Sequence, residues 1–527
     1  MLLIEYSHFN HHFLQWNIWT LAKDISFSIF LSIVRFSKIS YNIWVSLIWV
    51  VSALFAIYGI NKFLTNNKLL LLFSFIFILF LPFGFDFHGI RIYRNSIIVP
   101  VMILFLFSLF IFINFSIEKL DKNTVIWGVL TGLLFVFYYY IKEDGITTLP
   151  ILLVSIFLII IYRLFKDYND NSINAINVAK CIVVCMLPII IFAVATVAYE
   201  EVNYQYFGVH EVNTRTSGEL GTFYANLLKI EDSNKNRSVW IPLSTFEKAV
   251  NASPTLSAHP ELIDKYNSSG WVQGNAEKNP LRGDHFTWAF RNVLWDAGLF
   301  NNEKSANDLF KQVNSELDAA FNNGSLQKSN KIFITSSLIG KDINEIFDLK
   351  PLLFKGLKTT LFFEDFNLQD QPYNITSQTN DTDEVRSLES VLNQKVSFNG
   401  SFSESQKSSI SFAQFDIKVY QELSILFIIL SALGFLGLFI NQFINKFKNM
   451  RLNMLLIFEI LIIGSFAVQI FAITWFMSWF PVIGNYFVFY TVGCQGLLAV
   501  FEVLAIVQFF ILFKKFLDWK FLKDKNC

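Results

Sequence analysis

The chain has 527 residues, of which 53% are hydrophobic and 16% are charged, and its formal net charge is zero. Soluble globular proteins carry about 25% charged residues, so this composition excludes an ordinary soluble protein and indicates a membrane protein. No basic stripe runs along the chain, so the charge pattern does not indicate a nucleic-acid partner.

The first predicted element is a short apolar helix with the sequence ISFSIFLSIVRF (25–36). A transmembrane helix takes about 20 apolar residues, so we expect this shorter helix to lie at the membrane interface. Longer apolar runs follow it. They predict about nine transmembrane helices, at 43–61, 69–85, 95–115, 124–141, 147–164, 178–198, 420–441, 453–479 and 485–513.

Residues 199–418 interrupt the apolar runs and form a predicted soluble domain before the last three spans, which occupy 419–513. We expect a mixed, mainly α-helical fold, because 282–321 has apolar positions three and four apart. Segments near 331–338 and 396–402 are candidate strands, and the polar stretch 374–384 is a candidate mobile loop. The domain contains no cysteine, so it forms no disulfide.

Orientation follows from Lys and Arg near the ends of the spans, because these residues accumulate in cytoplasmic loops. One set of alternate connections shares this basic character and includes the tail 514–527; its residues are Lys62, Lys68, Lys119, Lys122, Arg163, Lys166, Lys446, Lys448 and Arg451. We therefore predict a multi-pass protein of the cell membrane with a cytoplasmic C-terminus. The domain 199–418, which has more acidic than basic residues, is then extracytoplasmic.

Charged residues also occur in the connections that this orientation places outside. They are Lys23 before the interfacial helix, Asp86, Arg91 and Arg94 in one loop, and Lys142, Glu143 and Asp144 in the next. Charges at membrane level are costly unless they are paired or line a polar cavity. Cations there suit a phosphate headgroup, and a carboxylate beside them can take the proton of an attacking hydroxyl. The alternative is that the cations reach towards lipid headgroups and the hairpin is simply solvated.

Three segments resemble the polytopic membrane glycosyltransferases called GT-C, which include protein O-mannosyltransferases and bacterial aminoarabinose transferases. They are TLAKDISFSIFLSI (20–33), GIRIYRNSIIVPVMILFLF (89–107) and WGVLTGLLFVFYYYIKEDGITTLP (127–150). Within that group, YRN (93–95) and KEDGITTLP (142–150) are similar to motifs of uncharacterised bacterial members. The resemblance implies a GT-C-like membrane module over residues 1–198.

The resemblance also implies roles for individual residues. Lys23 would lie near the lipid phosphate, Arg91 and Arg94 would support it, and the candidate substrate-binding set also contains Lys142 and Glu143. The candidate catalytic carboxylates are Glu5, Asp86 and Asp144. Members of this group have a first span and an acidic loop ahead of the point that matches Met1. We therefore expect a start further upstream, or a truncated or inactive relative.

Three functions remain open at this point. The first is transfer of a sugar from a polyprenyl-phosphate donor to a cell-envelope glycan, lipid or protein. The second is an inactive relative that binds an envelope glycan or a protein. The third is a transporter, which predicts symmetrical halves and broken helices that the sequence does not display. No Walker loop, Rossmann fingerprint or zinc spacing occurs, so no cofactor and no metal site are predicted.

Two acidic residues, Glu459 and Glu502, lie inside the last two predicted spans, together with Gln469, Gln495 and Gln508. An acid within the bilayer indicates a functional site by default. The alternative is a structural role, in which the two carboxyl groups are hydrogen-bonded between helices.

Overall fold

A computed structural model describes residues 16–170, 174–273, 281–368, 382–395, 403–480 and 486–525. The predicted α-helical membrane fold is confirmed, because seven helical segments in this part of the chain are long and apolar enough to cross a bilayer. They are Tyr41–Phe63, Asn95–Glu118, Glu143–Asn169, Ala175–Phe207, Glu404–Ile444, Met450–Met477 and Val492–Asp518. The chain is therefore a multi-pass membrane protein.

Two further predicted spans form helices that lie outside this set of seven. The run 69–85 forms the helix Lys68–Leu79, and the run 124–141 forms Lys122–Tyr139, which begins with the polar residues Lys122, Asn123 and Thr124. The short apolar segment 25–36 forms the helix Ser26–Ser37. The connections contain 3-10 turns at Pro82–Gly84 and Glu143–Thr148 and a single-turn helix at Phe87–Ile90.

The remaining helices are shorter and belong mainly to the polar middle of the chain. They are Gly218–Lys229, Leu243–Ala252, Pro254–Ser257, Glu261–Ser268, Gly270–Gln273, His285–Asp296, Glu303–Asn322, Ile343–Phe347, Lys350–Leu361, Thr382–Leu392 and Tyr486–Tyr490. The helical periodicity of 282–321 is confirmed by two of them.

The predicted strand at 331–338 is wrong. Ile332 and Lys341 form one isolated antiparallel bridge, in which each backbone N–H donates to the other residue's carbonyl at 2.9 Å. A strand needs a partner along its whole length, and this segment has one for a single residue pair. The candidate strand at 396–402 and residues 374–381 of the candidate loop lie outside the described residues.

The chain divides into two compact units. The first consists of Met1–Ser28, Thr196–Lys355 and Phe471–Gly484, and the second of Ile29–Ala195, Gly356–Ile470 and Asn485–Cys527. These limits differ from the predicted boundaries after residues 198 and 418, which concern the side of the membrane and stay a prediction.

The first unit has a core of aromatic and aliphatic side chains from its short helices. Phe223 stacks on Phe290 at 5.5 Å between ring centroids and lies 4.7 Å from Phe310. Phe286 and Phe290, four residues apart on one helix, are buried on the same face. This spacing is the reason why the sequence forms an amphipathic helix here.

The second unit is organised around the helix Asn95–Glu118, which we call the central helix. Every residue from Asn95 to Ile117 is buried. Its neighbours are the helices Tyr41–Phe63, Lys122–Tyr139, Leu149–Asn169 and Val492–Lys525. A helix that is apolar on all sides is stable only when protein or lipid surrounds it, and here protein does.

Candidate functional site

The predicted charged residues of two loops meet in the second unit. Arg94 directly precedes the central helix, and Glu143 lies in the 3-10 turn Glu143–Thr148. Arg94 Nη1 donates to Glu143 Oε2 at 3.2 Å and to the Ile141 carbonyl at 3.4 Å, and Nη2 donates to the Tyr93 hydroxyl at 3.1 Å. The pair is only partly enclosed, because the side chain of Arg94 is 6% exposed and that of Glu143 is 29% exposed.

Lys142 and Asp144 form the second ion pair of this region, with Nζ and Oδ2 3.7 Å apart. The same Oδ2 accepts a hydrogen bond from Gln469 Nε2 at 3.1 Å. The other oxygen, Oδ1, is buried, and no hydrogen-bond donor among the described residues reaches it. An oxygen in this state is costly to bury, and a ligand hydroxyl that donates to it would remove the cost.

Gly493 makes the contact between Asp144 and Gln469 possible. A Cβ atom at this position would overlap the Gln469 side-chain amide and would lie 3.1 Å from Asp144 Oδ2. The absence of a side chain at residue 493 therefore leaves the room in which the two polar groups meet.

The cationic side chains of this region contact aromatic rings. The Phe489 ring centroid lies 5.9 Å from Lys142 Nζ and 6.0 Å from Arg91 Cζ, and the Tyr93 ring stacks on it at 5.4 Å. Arg91 also lies 5.6 Å from the Phe87 ring. In the described part of the chain, no carboxylate is within ion-pair distance of Arg91, which is half-buried. Its guanidinium is held by ring faces and retains its capacity to bind an anion.

We call these five residues, Arg91, Arg94, Lys142, Glu143 and Asp144, the charged cluster. All five are predicted site residues, and the structure brings them together.

Asp86 lies close to this cluster in the sequence, and its carboxylate accepts hydrogen bonds from the backbone. Its Oδ1 accepts from the His88 backbone N–H at 2.8 Å and caps the helix Phe87–Ile90, and its Oδ2 accepts from the Asn367 N–H at 2.9 Å. Burial raises the pKa of Asp86 to about 7, against the opposing effect of these backbone donors. Both oxygens are occupied, so Asp86 holds the loop that carries Arg91.

Lys23 belongs to the first unit, where it is 1% exposed. Its Nζ lies 5.8 Å from the Trp288 ring centroid, and Arg215 Cζ lies 4.6 Å from the same ring. Arg215 also faces Asp284 at 3.8 Å. The predicted site residue Lys23 is therefore a buried cation that contacts the Trp288 ring. The other predicted site residue from this part of the chain, Glu5, lies outside the described residues.

Sequence reasoning missed the aromatic and amide partners of the charged cluster. Phe489 and Tyr490 lie in a predicted span, where aromatic residues carry no functional signal, although the Tyr490 ring is also 5.8 Å from Lys142 Nζ. Gln469 gave a signal as a polar residue in an apolar run, but nothing in the sequence indicated Asp144 as its partner.

The two acids inside the spans are both buried. Glu459 is fully enclosed, and neither of its carboxyl oxygens has a hydrogen-bond partner among the described residues, while Glu502 is 3% exposed. Within the same residues, no group of three or more His, Cys, Asp and Glu side chains is arranged to hold a metal ion.

No family model, no curated protein and no solved structure matches the chain. Two arginines and a lysine can bind an anion, and one carboxylate oxygen beside them lacks a hydrogen-bond donor among the described residues.

Proposed function

We propose that the protein is a membrane glycosyltransferase of the GT-C type, which transfers a sugar from a polyprenyl-phosphate donor to a cell-envelope glycan, lipid or protein. The observation that carries this proposal is the charged cluster. Arg91, which has no carboxylate partner in the described residues, shares the Phe489 ring with Lys142, and Lys142 pairs with Asp144, whose Oδ1 has no hydrogen-bond donor among the same residues. Phosphate recognition needs the cations, and activation of a hydroxyl needs the carboxylate.

The donor phosphate binds to Arg91 and Lys142. Arg91 offers a planar fork of N–H donors, and Lys142 offers a point charge. The Phe489 ring fixes both cations without neutralising them. The Arg94–Glu143 pair supports the loop on which Lys142 lies, because Arg94 also donates to the Ile141 carbonyl.

Asp144 acts as the general base. The acceptor hydroxyl donates to Oδ1, and its proton passes to the carboxylate as its oxygen bonds to the sugar C1 atom. The bond between C1 and the phosphate oxygen breaks at the same time, and the polyprenyl phosphate leaves with the electron pair. Arg91 and Lys142 stabilise the charge that develops on this leaving group.

The sidedness of the protein belongs to the same proposal. The Lys and Arg distribution supports a charged cluster on the extracytoplasmic face and a C-terminus in the cytoplasm. A lipid-linked donor and an envelope acceptor would meet on that face.

The test uses the full chain reconstituted in liposomes with a polyprenyl-phosphate sugar, and it measures donor binding and sugar transfer separately. Arg91→Ala and Lys142→Ala should each weaken donor binding by roughly 10- to 100-fold, because each removes hydrogen bonds between charged groups. Asp144→Asn should retain binding and lower the transfer rate by roughly 100-fold or more. Lys418→Ala, which removes an exposed cation of the second unit, is the matched control and should change neither quantity.

Two results would count against the enzyme. Transfer at the normal rate by Asp144→Asn would remove the assigned base. Donor binding that depends on Arg91, without transfer to any envelope acceptor, would support the inactive, glycan-binding relative instead.

A further inference from the structure

A second polar site lies at the opposite end of the central helix from the charged cluster. The helix has 24 residues, and at a rise of 1.5 Å per residue the two ends are roughly 36 Å apart. Near the Glu118 end there is a cavity of about 210 Å³. The spans that end at Phe63, Ile444 and Asp518 and the span that starts at Met450 all contribute lining residues or flank them.

The cavity is lined by both charged and apolar residues. Arg451 and Lys515 line it, together with Asn449, while Leu438 and Leu512 are among its apolar lining residues. Arg451 is held by an ion pair with Glu118 and by the Phe63 ring, whose centroid lies 5.5 Å from its Cζ atom. Both cations are thus placed at the level where the membrane spans end.

Gln508 supplies a fourth polar group, which comes from inside the span. This lining residue is 2% exposed, and its Nε2 donor has no hydrogen-bond partner among the described residues. A buried amide without an acceptor costs free energy unless a ligand supplies one. Two cations and an unsatisfied donor around one cavity suit an oxyanion.

We propose that this cavity binds the phosphate headgroup of an anionic phospholipid from the surrounding bilayer. The position at the ends of several spans and the apolar lining residues favour a lipid over a soluble phosphate, because acyl chains can pack against apolar side chains at the membrane. Basic pockets between transmembrane helices bind anionic headgroups in this way. Exposed Lys446 and Lys448 near the same helix ends raise the local concentration of such lipids.

The experiment uses the purified, delipidated full chain and adds phosphatidylglycerol or phosphatidylcholine in mixed micelles. Phosphatidylglycerol, but not phosphatidylcholine, should raise the unfolding temperature and should stay bound in native mass spectrometry. A ligand that binds only the folded state stabilises that state. Lys515→Ala and Arg451→Ala should each weaken this effect roughly fivefold. Gln508→Leu should weaken it as well, without a change of charge.

Lys514→Ala is the matched control, because it removes a neighbouring exposed cation that does not line the cavity. An equal loss in Lys514→Ala and Lys515→Ala would show diffuse attraction to the membrane and would overturn the site. The same stabilisation by inorganic phosphate alone would overturn the lipid assignment. If Arg451→Ala loses its fold with the Glu118 pair, Lys515→Ala and Gln508→Leu still decide the question.

Discussion

Two arginine–carboxylate pairs, one in each unit, have very different surroundings. In the first unit, Arg291 and Glu303 are 0% and 1% exposed and lie 2.9 Å apart. Arg291 also donates to the Ile18 carbonyl at 2.6 Å and to the Thr214 hydroxyl at 3.2 Å, and Thr214 donates to Glu303 at 2.9 Å. In the second unit, the Arg94–Glu143 pair is longer and partly exposed.

The difference teaches how the same two residue types serve different purposes. A pair that is closed to solvent and saturated with hydrogen bonds can stabilise only one structure, and it leaves no room for a ligand. A partly open pair beside Arg91 and Asp144 can change partners when an anion arrives. We therefore assign Arg291–Glu303 to stability and Arg94–Glu143 to the site, and four measurements test this contrast.

The largest effect is expected for Arg291→Ala. Removing one partner of a buried pair leaves the Glu303 charge without compensation, which costs about 3 to 5 kcal/mol of folding free energy. Thermal unfolding of the purified chain measures the loss. Lys304→Ala, on the same helix as Glu303, breaks the exposed pair with Asp308 and should leave the transition unchanged. An unchanged unfolding temperature of Arg291→Ala would contradict the structural role of the pair.

Gly493→Ala tests the open site without changing a charge. The new methyl group would displace the Gln469 amide from Asp144, and overpacking of this kind costs about 1 to 3 kcal/mol. Donor binding should weaken together with thermal stability. Gly464→Ala is the control, because no atom lies within 4 Å of its added Cβ. Identical behaviour of the two variants would show that the contact between Gln469 and Asp144 is unimportant.

The pH dependence of stability should have opposite signs in the two units. In the first unit, burial opposes ionisation of Asp232, but hydrogen bonds from Ser244, the Asn234 N–H and Thr245 outweigh it and lower the pKa. The stabilisation by the Asp232 carboxylate is present above the ordinary carboxyl pKa and is lost as the pH falls below it. Asp86 in the second unit has a raised pKa of about 7. Stability there should fall as the pH rises from about 4 to about 7.

Hydrogen exchange of backbone amides near Asp232 and Asp86, followed across this pH range, measures how the local stability of each unit changes with pH. Asp232→Asn should reduce the loss of stability at acid pH in the first unit. Asp86→Asn should reduce the fall of stability with rising pH in the second unit. Slopes of the same sign in both units would contradict the assignment of the two carboxylates.

The smallest effect is expected for Glu143→Gln. Its side chain is 29% exposed, so the loss of the ion pair with Arg94 should cost at most about 1 kcal/mol. The variant should remain folded, while its affinity for the polyprenyl-phosphate donor changes. Glu303→Gln provides the comparison, because the same substitution in the closed pair should lower the unfolding temperature clearly. Equal losses in both variants would end the contrast between the two pairs.

The sequence predicted the helices well where a long apolar run has clear limits. The run 95–115 became Asn95–Glu118, and the short run 25–36 became Ser26–Ser37. It failed at 331–338, where strand-like residues form one bridge. Strand formation depends on a partner elsewhere in the chain, and the local pattern cannot show whether that partner exists.

The candidate site was predicted in part for the same reason. The charged residues of the two loops could be placed together, because both loops flank neighbouring spans. The contact between Asp144 and Gln469 joins residues that are 325 positions apart, and the cation contacts of Phe489 join residues separated by similar distances in sequence. Such pairings arise from helix packing and leave no periodic trace in the sequence.

The complete burial of the central helix has a mechanical consequence in bilayers of different thickness. Lipid-facing helices adjust to a thinner or thicker bilayer by tilting or by deforming it. The central helix has no lipid-facing side chain between Asn95 and Ile117 on which such a force could act. It therefore works as a strut of fixed length, so that the spacing between its Arg94 and Glu118 ends stays constant while the outer helices follow the lipid.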